Sequence, residues 1–423
     1  MTQVNRRQFA TLLGAGVSVL AMPAYLRAQA KPRVVVIGGG AGGATAARYI
    51  AKDAQGALDV TLIDANQKFT TCFFSNLYLG GYRTFDSITH NWDKLAAHGV
   101  KKVTGMAKGV DLAKKTVAMA DGTSIAYDRL VMSPGIDLKY DSVPGYSAEA
   151  AEIAPHAWKA GPQTELLKKK LDALTDGQNI VMVAPPNPYR CPPGPYERVS
   201  MMAHVLKAKG FKNSKIFIID PKEQFSKQGV FVEGWEKHYK GMIEWIAPTI
   251  HGGVKNVDVK TGKVTTDLSV FEGALLNIIP AQKAGQIAAD AGLTDEKGFC
   301  PIDPNSMRSA KNNDVFVIGD ASIAGDMPKS GFSANSQAKV AAMTVRADLT
   351  GSKTFPAKYA NTCWSLVETD DGIKVGASYE PKDGKIASVS TFVSQKGEDA
   401  AVRKANTEEA NGWYAGITAD MFS

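Results

Sequence analysis

Gly38, Gly40 and Gly43 follow directly on Arg33-Val34-Val35-Val36-Ile37, an apolar, β-branched run that suits a buried parallel strand. Their spacing is G-x-G-x-x-G. The first glycine permits a tight turn, the second lets backbone approach a pyrophosphate, and the third lets a helix pack closely on the strand. Ala41 lies inside the turn. Ala44 to Ile50 reads as the helix whose first amides and positive dipole end would face phosphate. A second strand over Asp59–Ile63 ends at Asp64, 21 residues after Gly43. A carboxylate there accepts hydrogen bonds from a ribose 2′-OH and repels a 2′-phosphate. Four cysteines carry the other possible chemistry: Cys72, Cys191, Cys300 and Cys363. They are too few for a disulfide scaffold and too scattered for zinc, so no metal site is expected. No C-x₄-C pair occurs, so any disulfide must join distant segments.

Further elements must bring these residues to the nucleotide. Tyr127–Gly135, ending in Ser133-Pro134-Gly135, resembles the strand and turn that return to the nucleotide in two-dinucleotide flavoproteins. Asn313–Asp320 is a second buried strand ending in Gly319-Asp320, and the same resemblance implies that Asp320 binds the ribityl chain of FAD. Gly331 and Phe332 open a segment that continues as a helix from Ala334 to Leu349, with its N-terminus toward the flavin pyrimidine. Midway, Asn179–Ala184 repeats the strand that should precede a nicotinamide site. Six prolines between Pro185 and Pro195 replace the glycines there, and proline has no N–H to offer a phosphate. The expected fold is therefore α/β with two Rossmann-like dinucleotide-binding domains, an FAD domain and a vestigial NAD-type domain, followed by a C-terminal α+β interface domain. Electrons must enter from something other than NAD(P)H.

Over its whole length the chain resembles the flavoprotein subunit of flavocytochrome c, sulfide dehydrogenase. The diagnostic pieces are Phe69–Asn76 around Cys72, Arg190-Cys191-Pro192-Pro193-Gly194-Pro195-Tyr196-Glu197, Gly319-Asp320 and Asn361-Thr362-Cys363. The resemblance implies that Cys72 bonds the flavin 8α-methyl, that Cys191 and Cys363 form a redox-active disulfide beside the ring, and that Glu197 lies near it. A purely structural staple spanning 172 residues is the alternative. Cys300 is given no role beyond that of a small buried hydrophobe. The implied reaction oxidises sulfide to elemental sulfur or polysulfide by thiol–disulfide exchange and passes electrons to a c-type cytochrome subunit. The chain has no C-x-x-C-H, so a haem belongs to that partner. Two other readings stay open: an accessory flavoprotein that reactivates a thiosulfate-oxidising complex, and a sulfide:quinone reductase. The latter is disfavoured by Ala401–Ser423, which reads as polar without an amphipathic stripe.

Asn5-Arg6-Arg7 ahead of an apolar run, with Ala28-Gln29-Ala30 behind it, reads as a twin-arginine signal peptide over 1–30 and predicts a periplasmic protein. The run spans 17 residues, short of the ~20 a membrane-spanning helix needs, so no integral anchor is expected. Of the 423 residues 44% are apolar and 22% charged, the mixture of a packed globular protein. The leader holds three arginines and no acid, so the net charge of +7 falls to +4 without it. That surplus argues against nucleic-acid binding. The expected organisation is an FAD domain in two segments, 31–145 and 265–348, an NAD-type domain over 146–264 that lacks a nicotinamide site, and an interface domain over 349–423.

Overall fold

Five parallel strands form the first sheet, in the spatial order Val315–Val317, Arg129–Met132, Arg33–Ile37, Asp59–Asp64 and Val100–Thr104. The computed structural model describes residues 30–423, of which Pro32–Ser423 forms one compact unit. The expected signal peptide lies outside the described residues but for its last position. Val34, Val35 and Val36 are buried because the sheet is covered on both faces. Helix Ala41–Ala54 packs there against helix Gly331–Thr350. Ala44, Ala47, Ala338 and Ala341 meet in this core, and their small side chains let the helices approach closely. The second of these helices begins at Gly331, earlier than the expected Ala334, because Ser330 caps it by accepting a hydrogen bond from the Ser333 amide at 3.0 Å.

The second parallel sheet runs Ile243–Ile246, Ile216–Ile219, Ile180–Val183, Leu275–Ile278. Its last strand corrects the domain boundary expected at 264. Leu275, Leu276 and Ile278 are apolar and buried, and they complete the second sheet beside Ile180–Val183. The chain returns toward the first sheet only afterwards, where Ala281–Ala284 pairs antiparallel with Ile136–Lys139.

An antiparallel sheet follows: Tyr359–Glu368, Asp371–Lys382, Lys385–Val393. It ties the two lobes together, since Tyr359, Ala377 and Tyr379 join the core of the first lobe while Val367 and Ile373 join that of the second. Burial of each large side chain contributes about 1.5–3 kcal/mol to holding the lobes in register. Helix Ala400–Phe422 follows and carries no continuous apolar stripe, as its sequence reads. Of its six buried residues, Arg403 and Asn406 are polar, and Tyr414, Ile417, Met421 and Phe422 cluster toward its C-terminal half. Arg403 pairs inward with Asp371 at 3.0 Å. No helix among the described residues is long and apolar enough to cross a membrane.

Candidate active site

Two pockets meet at Cys72. The first is a channel of ≈ 1220 Å³ along the edge of the first sheet. Gly38, Gly40, Ala41 and Asp64 line one end, and Ser133, Pro134 and Gly135 its wall. Cys72, Asp320 and Gly331 line the other end. Gly43 lies beneath the channel: a Cβ there would stand 1.7 Å from the Gly38 carbonyl oxygen, so only glycine permits this closeness of helix and strand. Gly38 has φ +94° and sits under Ser133, whose carbonyl oxygen a Cβ would approach to 2.2 Å. Asp64 accepts the Gly39 amide at 2.7 Å and the Asn66 amide at 2.8 Å, which aims its carboxylate along the turn.

The residues of this channel fit FAD. The glycine turn presents helix-opening amides to a pyrophosphate. At the far end Asp320 is buried, and its Oδ2 takes an ion pair from Arg190 at 3.4 Å. Its Oδ1 is buried without a hydrogen-bond partner among the described residues. A buried oxygen of that kind is costly unless a ligand donor reaches it, and a ribityl hydroxyl is such a donor.

The second pocket, ≈ 950 Å³, opens off the channel and shares Cys72, Phe73, Arg190, Ser330 and Gly331 with it. Cys191, Cys363, Glu197 and Phe332 all line this second pocket. Phe332 does not reach the nucleotide channel. It stacks on Trp364 at 6.4 Å instead. Residues 172 apart in the chain thus share one wall. The four cysteines are unbonded in the structure, and Cys300 is fully buried in the core of the first lobe, away from both pockets.

Local structure holds each group. Cys191 has φ 59°, a left-handed backbone that costs an L-residue roughly 1–2 kcal/mol. Its amide donates to Lys329 at 2.8 Å and its carbonyl accepts from Gly194 at 2.8 Å, where helix Gly194–Ala208 begins. Cys363 sits mid-strand in Tyr359–Glu368, opposite Val375. Glu197, in the first helical turn, accepts from Asn76 Nδ2 at 2.8 Å and from the Leu366 amide at 2.9 Å. Burial raises its carboxyl above the usual carboxylate range, against the pull of those donors. Burial likewise pushes up the thiols of Cys72, Cys191 and Cys363.

Sequence reasoning missed two cations and an amide. Lys227 is buried behind Cys363, donating from Nζ to Ser365 Oγ at 2.9 Å and to the Cys363 carbonyl at 3.2 Å. Burial lowers it to about 8, while the fields of Cys363, Glu197 and Cys191 pull it back up. Arg198, fully buried, donates Nε to Asn76 Oδ1 at 3.0 Å, so Asn76 bridges Arg198 to Glu197. No local signal in the sequence marks Lys227, which stands between Ser226 and Gln228.

The second sheet treats its nucleotide position differently. Asp220 directly follows strand Ile216–Ile219, much as Asp64 ends its own strand in the first sheet. It is fully buried, accepting Tyr196 Oη at 2.6 Å and Trp245 Nε1 at 3.0 Å and pairing with Lys222 at 2.6 Å.

Fold and channel define a flavoprotein oxidoreductase of the two-dinucleotide class, and the model for pyridine nucleotide-disulphide oxidoreductases matches residues 32–183. Residues 164–280 match the central domain of the sulfide dehydrogenase [flavocytochrome c] flavoprotein chain, and residues 356–422 match the flavin-binding domain of flavocytochrome c sulphide dehydrogenase. A stretch of 44 residues, 10% of this chain, is 50% identical to the sulfide dehydrogenase [flavocytochrome c] flavoprotein chain of Chlorobaculum thiosulfatiphilum and covers 90% of that sequence. The chain belongs to the flavocytochrome c sulfide dehydrogenase flavoprotein family, and FAD is its cofactor. Among solved structures, the sulfide:quinone oxidoreductase of Aquifex aeolicus shares the fold with a TM-score of 0.69 at 18% identity, covering 92% of each chain. An NAD-dependent persulfide reductase from A. fulgidus does so with a TM-score of 0.62 at 15% identity, over 91% of this chain and 77% of that one.

Proposed function

We propose that the chain oxidises hydrosulfide to elemental sulfur or polysulfide through a Cys191–Cys363 disulfide, with its FAD tethered by Cys72. The observation that carries this reading is the shared pocket: both cysteines and Glu197 line it, and it opens onto the nucleotide channel at Cys72. Hydrosulfide attacks one sulfur of the bridge. The S–S bond breaks, a persulfide forms, and the other cysteine leaves as a thiolate. Glu197, with its raised proton affinity, exchanges a proton with the leaving sulfur. The Lys227 cation behind Cys363 offsets negative charge on the pair. FAD, when bound, supplies a two-electron acceptor that can release electrons singly.

The buried Asp220, whose oxygens are taken by Tyr196, Trp245 and Lys222, and a turn in which six prolines lack amide hydrogens favour this donor over NAD(P)H. The one-electron acceptor is a c-type cytochrome on a separate chain, as the name of the Chlorobaculum relative implies for that protein. The twin-arginine segment directs the complex to the periplasm.

Stopped-flow bleaching of the flavin tests the reading. Sulfide bleaches it rapidly, and NADH or NADPH no faster than background. Cys191→Ser and Cys363→Ser each lower the sulfide rate by about 10³-fold or more, and the double variant is no slower, as residues acting as one unit require. Near wild-type rates in both single variants reduce the pair to a structural role. Rapid bleaching by NADH overturns the substrate assignment.

A further inference from the structure

Cys363 is reached from two sides. Besides the flavin-side pocket it lines a separate cleft of ≈ 700 Å³, and the two share no other residue. The cleft shares none at all with the nucleotide channel. Strand register builds it. Asn361 lies opposite Ala377, Cys363 opposite Val375 and Tyr359 opposite Tyr379, so these side chains share one face of the C-terminal sheet. Pro192 and Pro193, from the turn that carries Cys191, roof that face, and the exposed Ser388 and Thr391 of the edge strand flank its mouth. At the inner end Asn361 Nδ2 stands 3.4 Å from Cys363 Sγ, held by a hydrogen bond from Ser330 Oγ to its Oδ1 at 2.5 Å. Cys191 lines the flavin-side pocket and not the cleft.

We propose that this cleft is the entry site for the sulfur substrate, a small anionic sulfur nucleophile of the hydrosulfide class, which meets Cys363 from the side away from the flavin. The proposal rests on the disulfide chemistry above and adds a direction to it. The entering sulfur attacks Cys363 Sγ, forming a new S–S bond as the Cys363–Cys191 bond breaks. The substrate sulfur is oxidised to the sulfane level, its proton stays on the terminal sulfur of the Cys363 persulfide, and Cys191 leaves with the electron pair as a thiolate in the flavin-side pocket. Lys227, hydrogen-bonded to the Cys363 carbonyl, sets a positive charge behind the attacked residue, and Asp326, the one charged side chain among the described residues that line the cleft, is paired with Lys385 at 2.7 Å. Asn361 Nδ2 is a donor beside the attacked sulfur. Entry and electron exit therefore use opposite sides of one disulfide, and substrate does not compete with flavin for space.

Ser388→Trp and Thr391→Trp, each at an exposed position of the edge strand, test the path in the FAD-loaded enzyme. Thr391→Ser serves as the open control, and melting temperature and flavin spectrum check folding. Two readouts are taken: flavin bleaching by sulfide, and alkylation of Cys363 and Cys191 by iodoacetamide in the reduced protein, followed by peptide mass mapping. Either tryptophan slows Cys363 alkylation and sulfide bleaching about tenfold or more, leaving Cys191 alkylation and bleaching by dithionite unchanged. Slowed Cys363 alkylation with an unchanged sulfide rate overturns the proposal, because substrate then enters elsewhere. Unchanged Cys363 alkylation overturns it too, because the cleft then does not open onto the thiol. If sulfide fails to bleach even the wild-type enzyme, the functional reading falls, while alkylation still reports whether the cleft reaches Cys363.

Discussion

Each parallel sheet sends a central strand into a turn and then a helix, but the two turns present different chemistry. In the first lobe Gly38-Gly39-Gly40 carries the chain from Ile37 to the helix at Ala41. Backbone is exposed there, and side chains would be in the way. In the second lobe residues 184–193 intervene between Val183 and the helix at Gly194. That turn is stiffened by proline and presents two side chains to the pocket, Arg190 and Cys191. One topology thus puts backbone amides at the pocket in the first lobe and the side chains of Arg190 and Cys191 there in the second.

The comparison breaks most visibly at its glycines. Gly43→Ala puts a Cβ 1.7 Å from the Gly38 oxygen, so the variant loses its flavin and about 3 kcal/mol or more of stability, read by flavin absorbance and thermal melting. Gly194→Ala puts a Cβ 2.9 Å from Cys191 Sγ and 2.9 Å from the Trp158 ring. It keeps a full complement of flavin and slows sulfide bleaching about tenfold, a barrier change near 1.4 kcal/mol. Flavin loss in Gly194→Ala with retention in Gly43→Ala would reverse the division of labour.

Cys72 sharpens the same contrast at the boundary of the two pockets. Acid precipitation leaves the flavin in the wild-type pellet and releases it from Cys72→Ser, which binds FAD less tightly through the unchanged channel residues. Flavin wholly in the wild-type supernatant removes the tether and leaves the channel reading intact.

The most gradual effect, spread over a pH range, belongs to Lys227, and its sign follows from burial. The folded side chain titrates at about 8 and the unfolded one near 10.5. Between those values the unfolded chain holds a proton that the folded chain lacks, so stability rises with pH across the window. Lys227→Met lacks this slope, and urea melts at pH 7.5 and 10 then differ between the two proteins by on the order of 1–3 kcal/mol. Activity moves the other way. The cation is lost as pH rises through about 8, so sulfide bleaching declines there in the wild type and not in Lys227→Met. Parallel slopes in both proteins would remove Lys227 from the site.

These contrasts mark what a sequence can disclose. The glycine turn was legible because backbone geometry restricts residue type at Gly38 and Gly43 to one choice. Asp64 and Asp320 were legible because each ends an apolar strand at a fixed place. The placing of Cys191 and Cys363 on one wall depends on strand register across 172 residues, which no local pattern encodes, and it entered only through family resemblance. Lys227 was invisible for the same reason, since its partners lie on strands more than a hundred residues away. The boundary near 264 was misplaced because a three-stranded antiparallel sheet over Val254–Glu272 interrupts the second lobe just before its last strand. In the C-terminal helix the sequence rightly showed no apolar stripe, but not that Arg403 and Asn406 would be buried, because their ion pair and hydrogen bond reach residues more than thirty positions away.

The prolines at the start of helix Gly194–Ala208 also decide which of the two helix starts depends on a ligand. Pro193 and Pro195 have no amide hydrogen, the Gly194 amide is taken by Cys191, and those of Tyr196 and Glu197 by Pro193. That helix is complete by itself. Helix Ala41–Ala54 opens with no side-chain cap, and its first amides wait for a phosphate. FAD therefore adds its binding free energy at a helix start whose amides the fold leaves uncapped, while the start of helix Gly194–Ala208 needs no ligand to be satisfied.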